Sequence, residues 1–151
     1  MTKKLTSWAG VRPEFAGCED YKNVLNTIDE TNKCPFCPDN FKYHSKPIIL
    51  EYNNWIVTEN SWPYKWSEYH FVFIPREHKT NFEEFSWEDF ATLQYLVNFV
   101  IKKHNIKWGG ICLRFGEQTY TGATVHHLHA HLIVPQLGDD GKATPVYFPI
   151  G

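Results

Sequence analysis

The stretch that most constrains this chain is Val125-His126-His127-Leu128-His129-Ala130-His131-Leu132-Ile133-Val134-Pro135. Half of the chain's eight histidines fall in its first seven residues. His127, His129 and His131 are spaced by two. Successive side chains of a β-strand point to opposite faces, so this spacing puts the three imidazoles on one face, about 6.5–7 Å apart. Leu128, Ala130 and Leu132 then share the other face, which reads as the core side. A strand that needed only a soluble outer face would use Thr, Lys or Glu there. A row of imidazoles points instead to a metal site, a proton-transfer site or a nucleophile. The bland alternative is a solvated strand face.

Length and charge bound the rest. The 151 residues suit one domain that buries roughly two-thirds of its unfolded surface. Fifteen basic residues against 17 acidic ones give a formal net charge of −2. That balance offers no electrostatic footprint for nucleic acid or an anionic membrane. No apolar run approaches a membrane span, and Met1-Thr2-Lys3-Lys4-Leu5 is not followed by the apolar stretch of a signal peptide. Of the four cysteines, Cys34 and Cys37 sit in Cys-Pro-Phe-Cys. Without a secretion signal, that pair suits metal binding or redox chemistry better than a disulfide framework. The expectation is a cytoplasmic protein. Cys18 and Cys112 read as packing residues.

Along the chain, residues 1–17 lack periodicity and read as an irregular arm packed by Trp8 and Phe15. Tyr21, Val24, Leu25 and Ile28 fall at helical spacing and predict a short amphipathic helix over 19–28. Residues 47–52 and 55–59 read as strands joined at Asn53-Asn54. A buried strand is expected over 69–74, with His70 on the face of Val72 and Ile74. Ser86 can cap the clearest helix, whose apolar stripe runs from Phe90 to Ile101. A further strand is expected over 111–115, then a polar loop over 116–124, then the histidine strand. The tail after Pro135 ends in an apolar segment, Val146-Tyr147-Phe148-Pro149-Ile150, that needs something to pack on. This rhythm favours an α+β fold with an antiparallel sheet.

Imidazole can attack phosphorus, provided one ring nitrogen is unprotonated and the other has an acceptor. Tyr120-Thr121-Gly122-Ala123-Thr124 offers hydroxyls and backbone N–H groups to an anion, and Gly122 lets the backbone approach closely.

Residues 122–133 resemble the signature of the histidine triad (HIT) family, His-φ-His-φ-His-φ-φ with φ apolar. Upstream, Asn60-Ser61-Trp62-Pro63-Tyr64 and the run from His70 to Pro75-Arg76-Glu77-His78 resemble that family's strand leading into Pro-x-x-His. The resemblance spans roughly 34–135. It implies a HIT-like fold: a five-stranded antiparallel sheet, one long helix and a short N-terminal helix. It divides the chain into an arm (1–17), a HIT domain (18–135) and a C-terminal tail (136–151). It further implies a nucleotide substrate and a homodimer; the charge balance and the lack of an apolar span already argue against nucleic acid and membrane as partners.

Carried across, His129 is the nucleophile on the α-phosphorus and forms a nucleotidyl-histidine. His131 handles phosphate and leaving group, His70 supports, and His127 completes the catalytic set. Thr124 stands where the family often has a phosphate-contacting hydroxyl, next to Gly122 and Val125. Asn60 stands where ribose hydroxyls are bound, and Trp62 suits a wall for the base. The family's Gly-Gln-Ser is Gly122-Ala123-Thr124 here. An expected asparagine is missing as well, which leaves Gln118 or Arg114 to take over its work. Some relatives combine two cysteines, the His of Pro-x-x-His and the first triad His around structural zinc. Cys34, Cys37, His78 and His127 match all four positions.

The reading is a zinc-containing hydrolase of nucleoside phosphoramidates or dinucleoside polyphosphates. The alternatives are a nucleotidyltransferase or phosphorylase of the same fold, and a low-turnover nucleotide-binding adaptor or sensor. His131 favours hydrolysis, because the transferase branches carry Gln there.

Overall fold

In the computed structural model, residues 10–151 are described; Trp8 and the rest of 1–9 lie outside them. The first hairpin is set by two asparagines. β1 (Ile48–Tyr52) turns into β2 (Trp55–Glu59) through Asn53 and Asn54, at φ 47° and 64°. Two consecutive left-handed residues make the turn whose twist matches a right-twisted hairpin, and asparagine tolerates that region better than most residues. β3 (Ser67–Pro75), β4 (Gly110–Leu113) and β5 (Ala130–Pro135) complete an antiparallel sheet in the order β1-β2-β3-β5-β4.

Each face of the sheet meets something different. Phe71, Phe73, Ala130, Leu132 and Val134 point to one side. There α2 (Trp87–Lys103) covers them with Leu96, Val97 and Val100. His70, Val72 and His131 point to the other side, which the loops and α1 (Glu19–Thr31) enclose. Leu25 and Ile28 of α1 join Val11, Cys34 and Val125 in a second apolar cluster. Val11 also pairs with Val125 as an isolated bridge, so the described part of the arm docks just ahead of the triad. Among the described residues no helix is long and apolar enough to cross a membrane.

The expected α+β fold is therefore present, with corrections at its edges. α1 continues to Thr31 and stops where Asn32 turns left-handed, at φ 51°. The loop expected over 116–124 holds a one-turn helix, α3 (Gln118–Thr121). The most consequential correction concerns the triad. β5 begins at Ala130, so only His131 of the three histidines lies within a strand. The reason is competition for the backbone. Leu128 N donates to Lys79 O (2.7 Å) and His127 N to Val125 O (3.0 Å), and pairing with β3 starts only at Ala130 opposite Phe73.

α2 is anchored at its start. Ser86 Oγ accepts from Asp89 N (3.1 Å), and Asp89 Oδ2 accepts from Ser86 N (2.9 Å), a reciprocal capping box. Asp89 also accepts from Trp55 Nε1 (3.0 Å) and Lys79 Nζ (2.7 Å), so one carboxylate ties helix, sheet and the segment after β3. Burial alone would raise its pKa, but these bonds outweigh burial and hold it below the ordinary carboxylate range. Asp89→Asn is expected to cost about 1–3 kcal/mol at pH 7. A carboxylate with a lowered folded-state pKa stabilises above its unfolded pKa and loses that effect as pH falls through the folded value. Urea unfolding of both proteins should therefore show the gap closing below about pH 4. A gap that is constant with pH would refute this account.

Candidate active site and metal centre

Four side chains from three segments converge beside β3. Cys34 and Cys37 come from the turn after α1, His78 follows β3, and His127 precedes β5. Their ligand atoms all lie within 4.8 Å of one another. Cys34 Sγ is 3.3 Å and Cys37 Sγ 3.8 Å from His127 Nδ1, Cys37 Sγ is 3.4 Å from His78 Nδ1, and the two Nδ1 atoms are 3.1 Å apart. A tetrahedral zinc with bonds of about 2.0–2.3 Å sets ligand separations of about 3.3–3.8 Å. The donor set and its spacing thus fit zinc. His127 Nε2–H donates to Pro75 O (2.7 Å), which leaves Nδ1 with the lone pair that a metal needs. Burial pushes the Cys34 thiol up to about 12. A thiolate at that position requires a cation beside it.

Beyond this cluster lies the second triad residue. His129 Nδ1 is 2.7 Å from the carbonyl oxygen of His127. A carbonyl can only accept, so Nδ1 carries the proton and Nε2 is unprotonated. Phe36, inside the Cys-x-x-Cys turn, sets its ring edge-on to His129 with centroids 5.0 Å apart. The Cys-x-x-Cys turn and His129 are therefore in direct contact.

The third residue is wired through His70. Tyr64 N–H donates to His70 Nδ1 (3.1 Å), so the neutral ring carries its proton on Nε2. That Nε2–H donates to His131 Nδ1 (2.8 Å). His131 then holds its proton on Nε2, a buried atom without a partner among the described residues. In this tautomer the 3.3 Å approach of Asn60 Nδ2 to His70 Nε2 brings two donors together and is a contact, not a hydrogen bond. Burial pushes His70 and His129 down to about 4 and His127 to about 3, and moves His131 well below its ordinary value. All four imidazoles are neutral at pH 7.

His129 and His131 open onto a cavity of about 890 Å³ between the sheet face, α1 and the C-terminal segment. Trp62 forms part of its wall and stacks on Tyr21 of α1, with centroids 4.3 Å apart and planes 17° apart. Tyr21 OH lies 2.7 Å from Thr124 Oγ1, which links that aromatic wall to the loop before the triad. Asn60, Gly122, Thr124 and Val125 all line the cavity, and Asn60 Oδ1 accepts from Trp62 N (2.9 Å). Gln118 does not line it; buried beneath the loop, it donates to Ala123 O (3.1 Å). His127 does not line it either, because both ring nitrogens are engaged elsewhere.

Sequence reasoning missed several participants. Cys18 is not a packing residue: it is exposed and stands at the cavity rim. His44, without an evident partner in the sequence, lies 2.8 Å from Thr58 Oγ1 and 3.2 Å from Ser61 Oγ, in the cavity wall. Tyr21 had a signal, as the polar-tipped member of an apolar helical stripe. The tail finds its packing surface in the site itself, where Phe148 meets His131 edge-on at 5.1 Å.

Fold and site together define a histidine triad protein. Residues 33–145 match the family described as "Scavenger mRNA decapping enzyme C-term binding", and the chain belongs to that family. No curated protein matches the sequence. Among solved structures, a HIT family hydrolase from Clostridium thermocellum is similar at 24% identity and TM-score 0.58, over 73% of this chain and 96% of that one. A zinc-bound histidine triad family protein from Mycobacterium smegmatis is similar at 19% and 0.55, over 73% and 80%. A histidine triad nucleotide-binding protein from Candida albicans is similar at 17% and 0.54, over 79% and 85%.

Proposed function

We propose that this protein is a nucleotide hydrolase acting at the α-phosphorus of a nucleoside phosphoramidate or dinucleoside polyphosphate, with His129 as nucleophile. The observation that carries the reading is the 2.7 Å bond from His129 Nδ1 to the His127 carbonyl, which leaves Nε2 free beside the cavity. Nε2 attacks phosphorus and forms a P–N bond. The bond from phosphorus to the leaving group breaks, and its electron pair departs with that group: a polyphosphate leaves as an anion facing the N–H of His131, and an amine takes a proton from solvent as it departs. Water then attacks phosphorus, the P–N electron pair returns to Nε2, a nucleoside monophosphate leaves, and the spare proton passes to solvent. His70 fixes the tautomer of His131. Thr124 and the backbone around Gly122 contact phosphate, Asn60 the ribose and Trp62 the base, while Gln118 positions the loop.

Zinc fits Cys34, Cys37, His78 and His127, and its contribution is to hold the approach to β5 in place. The homodimer belongs to the same reading. β4 is an edge strand, and its Ile111 is 58% exposed, a surface on which a second copy can pair. The family's name points to cap-derived 5′–5′ dinucleotides, which are dinucleoside polyphosphates in chemical class.

The test is incubation with adenosine phosphoramidate and diadenosine polyphosphates, with and without inorganic phosphate, followed by mass spectrometry. Nucleoside monophosphate and an acid-labile adduct on His129 are expected. Nucleoside diphosphate formed only with phosphate would make the protein a transferase. Binding without products would make it a sensor.

A further inference from the structure

The cavity has an uneven charge lining. Arg114 and Lys65 stand in its wall, and among the described residues no carboxylate does. Lys65 is exposed, with its ammonium 4.8 Å from the ring centroid of Trp66. Arg114 is more deeply held. It follows β4, and its guanidinium lies 4.6 Å from the ring centroid of Phe148 in the C-terminal segment. Nη1 donates to Pro149 O (3.0 Å) and lies 3.5 Å from Gly122 O, and Nη2 donates to Tyr64 OH (3.3 Å). Nε is buried without a partner among the described residues, and Nη2 has one further N–H to give. Among the described residues no Asp or Glu side chain pairs with this cation.

Phe148 touches both ends of the arrangement, Arg114 and the ring of His131. The tail thereby fixes a positive charge on the same side of the cavity as the His131 N–H. That N–H belongs to a neutral imidazole whose other nitrogen accepts from His70, so it can hydrogen-bond a leaving group but is a weak acid toward one. An amine leaving group must be protonated as its bond to phosphorus breaks. A phosphate or polyphosphate leaving group departs as an anion and needs only hydrogen bonds and a compensating cation.

We infer that Arg114, braced by the C-terminal segment, is the specificity-determining residue for an anionic leaving group, so that the substrate class is the nucleoside or dinucleoside polyphosphate and not the phosphoramidate. This rests on the proposed function, since it takes the α-phosphate to sit at His129. It gives the tail a role: Phe148 and Pro149 hold the guanidinium that reads the charge beyond the α-phosphate.

Binding tests this without turnover. The probes are a nucleoside monophosphate and its α,β-methylene diphosphate analogue, in adenosine and guanosine forms, titrated calorimetrically. The analogue should bind wild type about tenfold more tightly than the monophosphate, a charge-assisted contact of about 1.4 kcal/mol. In Arg114→Gln the preference should fall to about twofold, and Arg114→Lys should restore part of it. Thermal unfolding of each variant reports whether it is folded. A preference absent in wild type, or one that survives Arg114→Gln, overturns the inference. So does an equal loss for both ligands in a folded Arg114→Gln, which marks a merely structural residue. Failure of every nucleotide to bind overturns the proposed function itself, and this inference with it.

Discussion

His129→Ala is expected to lower kcat by about 10⁴-fold or more and to abolish the acid-labile adduct, with KM changing far less. The expectation follows from what the side chain does in the cavity. Its Nδ1 is committed to the His127 carbonyl, so Nε2 is the atom available to form a bond to phosphorus. His131 and His70 contribute hydrogen bonds, and losing either leaves a nucleophile in place. Both His70 and His129 are pushed down to about 4 by burial. The free-enzyme profile of kcat/KM should therefore stay level from neutral pH to about pH 5 and fall as the rings protonate near pH 4. Rapid-quench kinetics on the purified variant is the check. Turnover within about tenfold of wild type would remove His129 from its role.

Loss of the metal-ligand set is the second large effect. Metal analysis of protein never exposed to chelator should return about one zinc per chain, as four closed ligands imply. Cys34→Ser, or prolonged chelation, should lower stability by about 3–5 kcal/mol, which at this chain length is a fall in Tm of roughly 10 °C or more. Activity should fall with it, because His127 lies two residues before His129 and Phe36 of the Cys-x-x-Cys turn packs on the His129 ring. Protein that holds no metal, unfolds at the wild-type temperature and turns over normally would refute the zinc reading.

The sequence carried the fold well because its strongest signals are local. The alternation around His131, the Asn53-Asn54 turn and the Ser86 cap each depend on a few neighbouring residues, and each recurs in the structure. The metal-ligand set was legible through resemblance, since nothing in Cys34-x-x-Cys37 itself says that residues 78 and 127 arrive beside it. What stayed hidden depends on tertiary contacts. Where β5 starts is decided by Lys79 O, which draws the Leu128 N–H away from the sheet. The role of Tyr21 appears only when Trp62 stacks on it. Arg114 read only as one of two candidates to replace an asparagine, because Phe148, 34 positions later, is what places it beside His131.

The late start of β5 carries one last consequence. A strand running through residue 127 would commit its carbonyl to ladder pairing, and His129 would need an acidic side chain to orient it. Because the ladder begins at Ala130, the main chain itself supplies that acceptor. Every amino acid has the same carbonyl, so no substitution at position 127 deletes it. A mutational scan should therefore find no side chain whose deletion removes that acceptor directly. The orientation can be altered only by moving the backbone, and the side chain at that position is fastened to Cys34, Cys37 and His78.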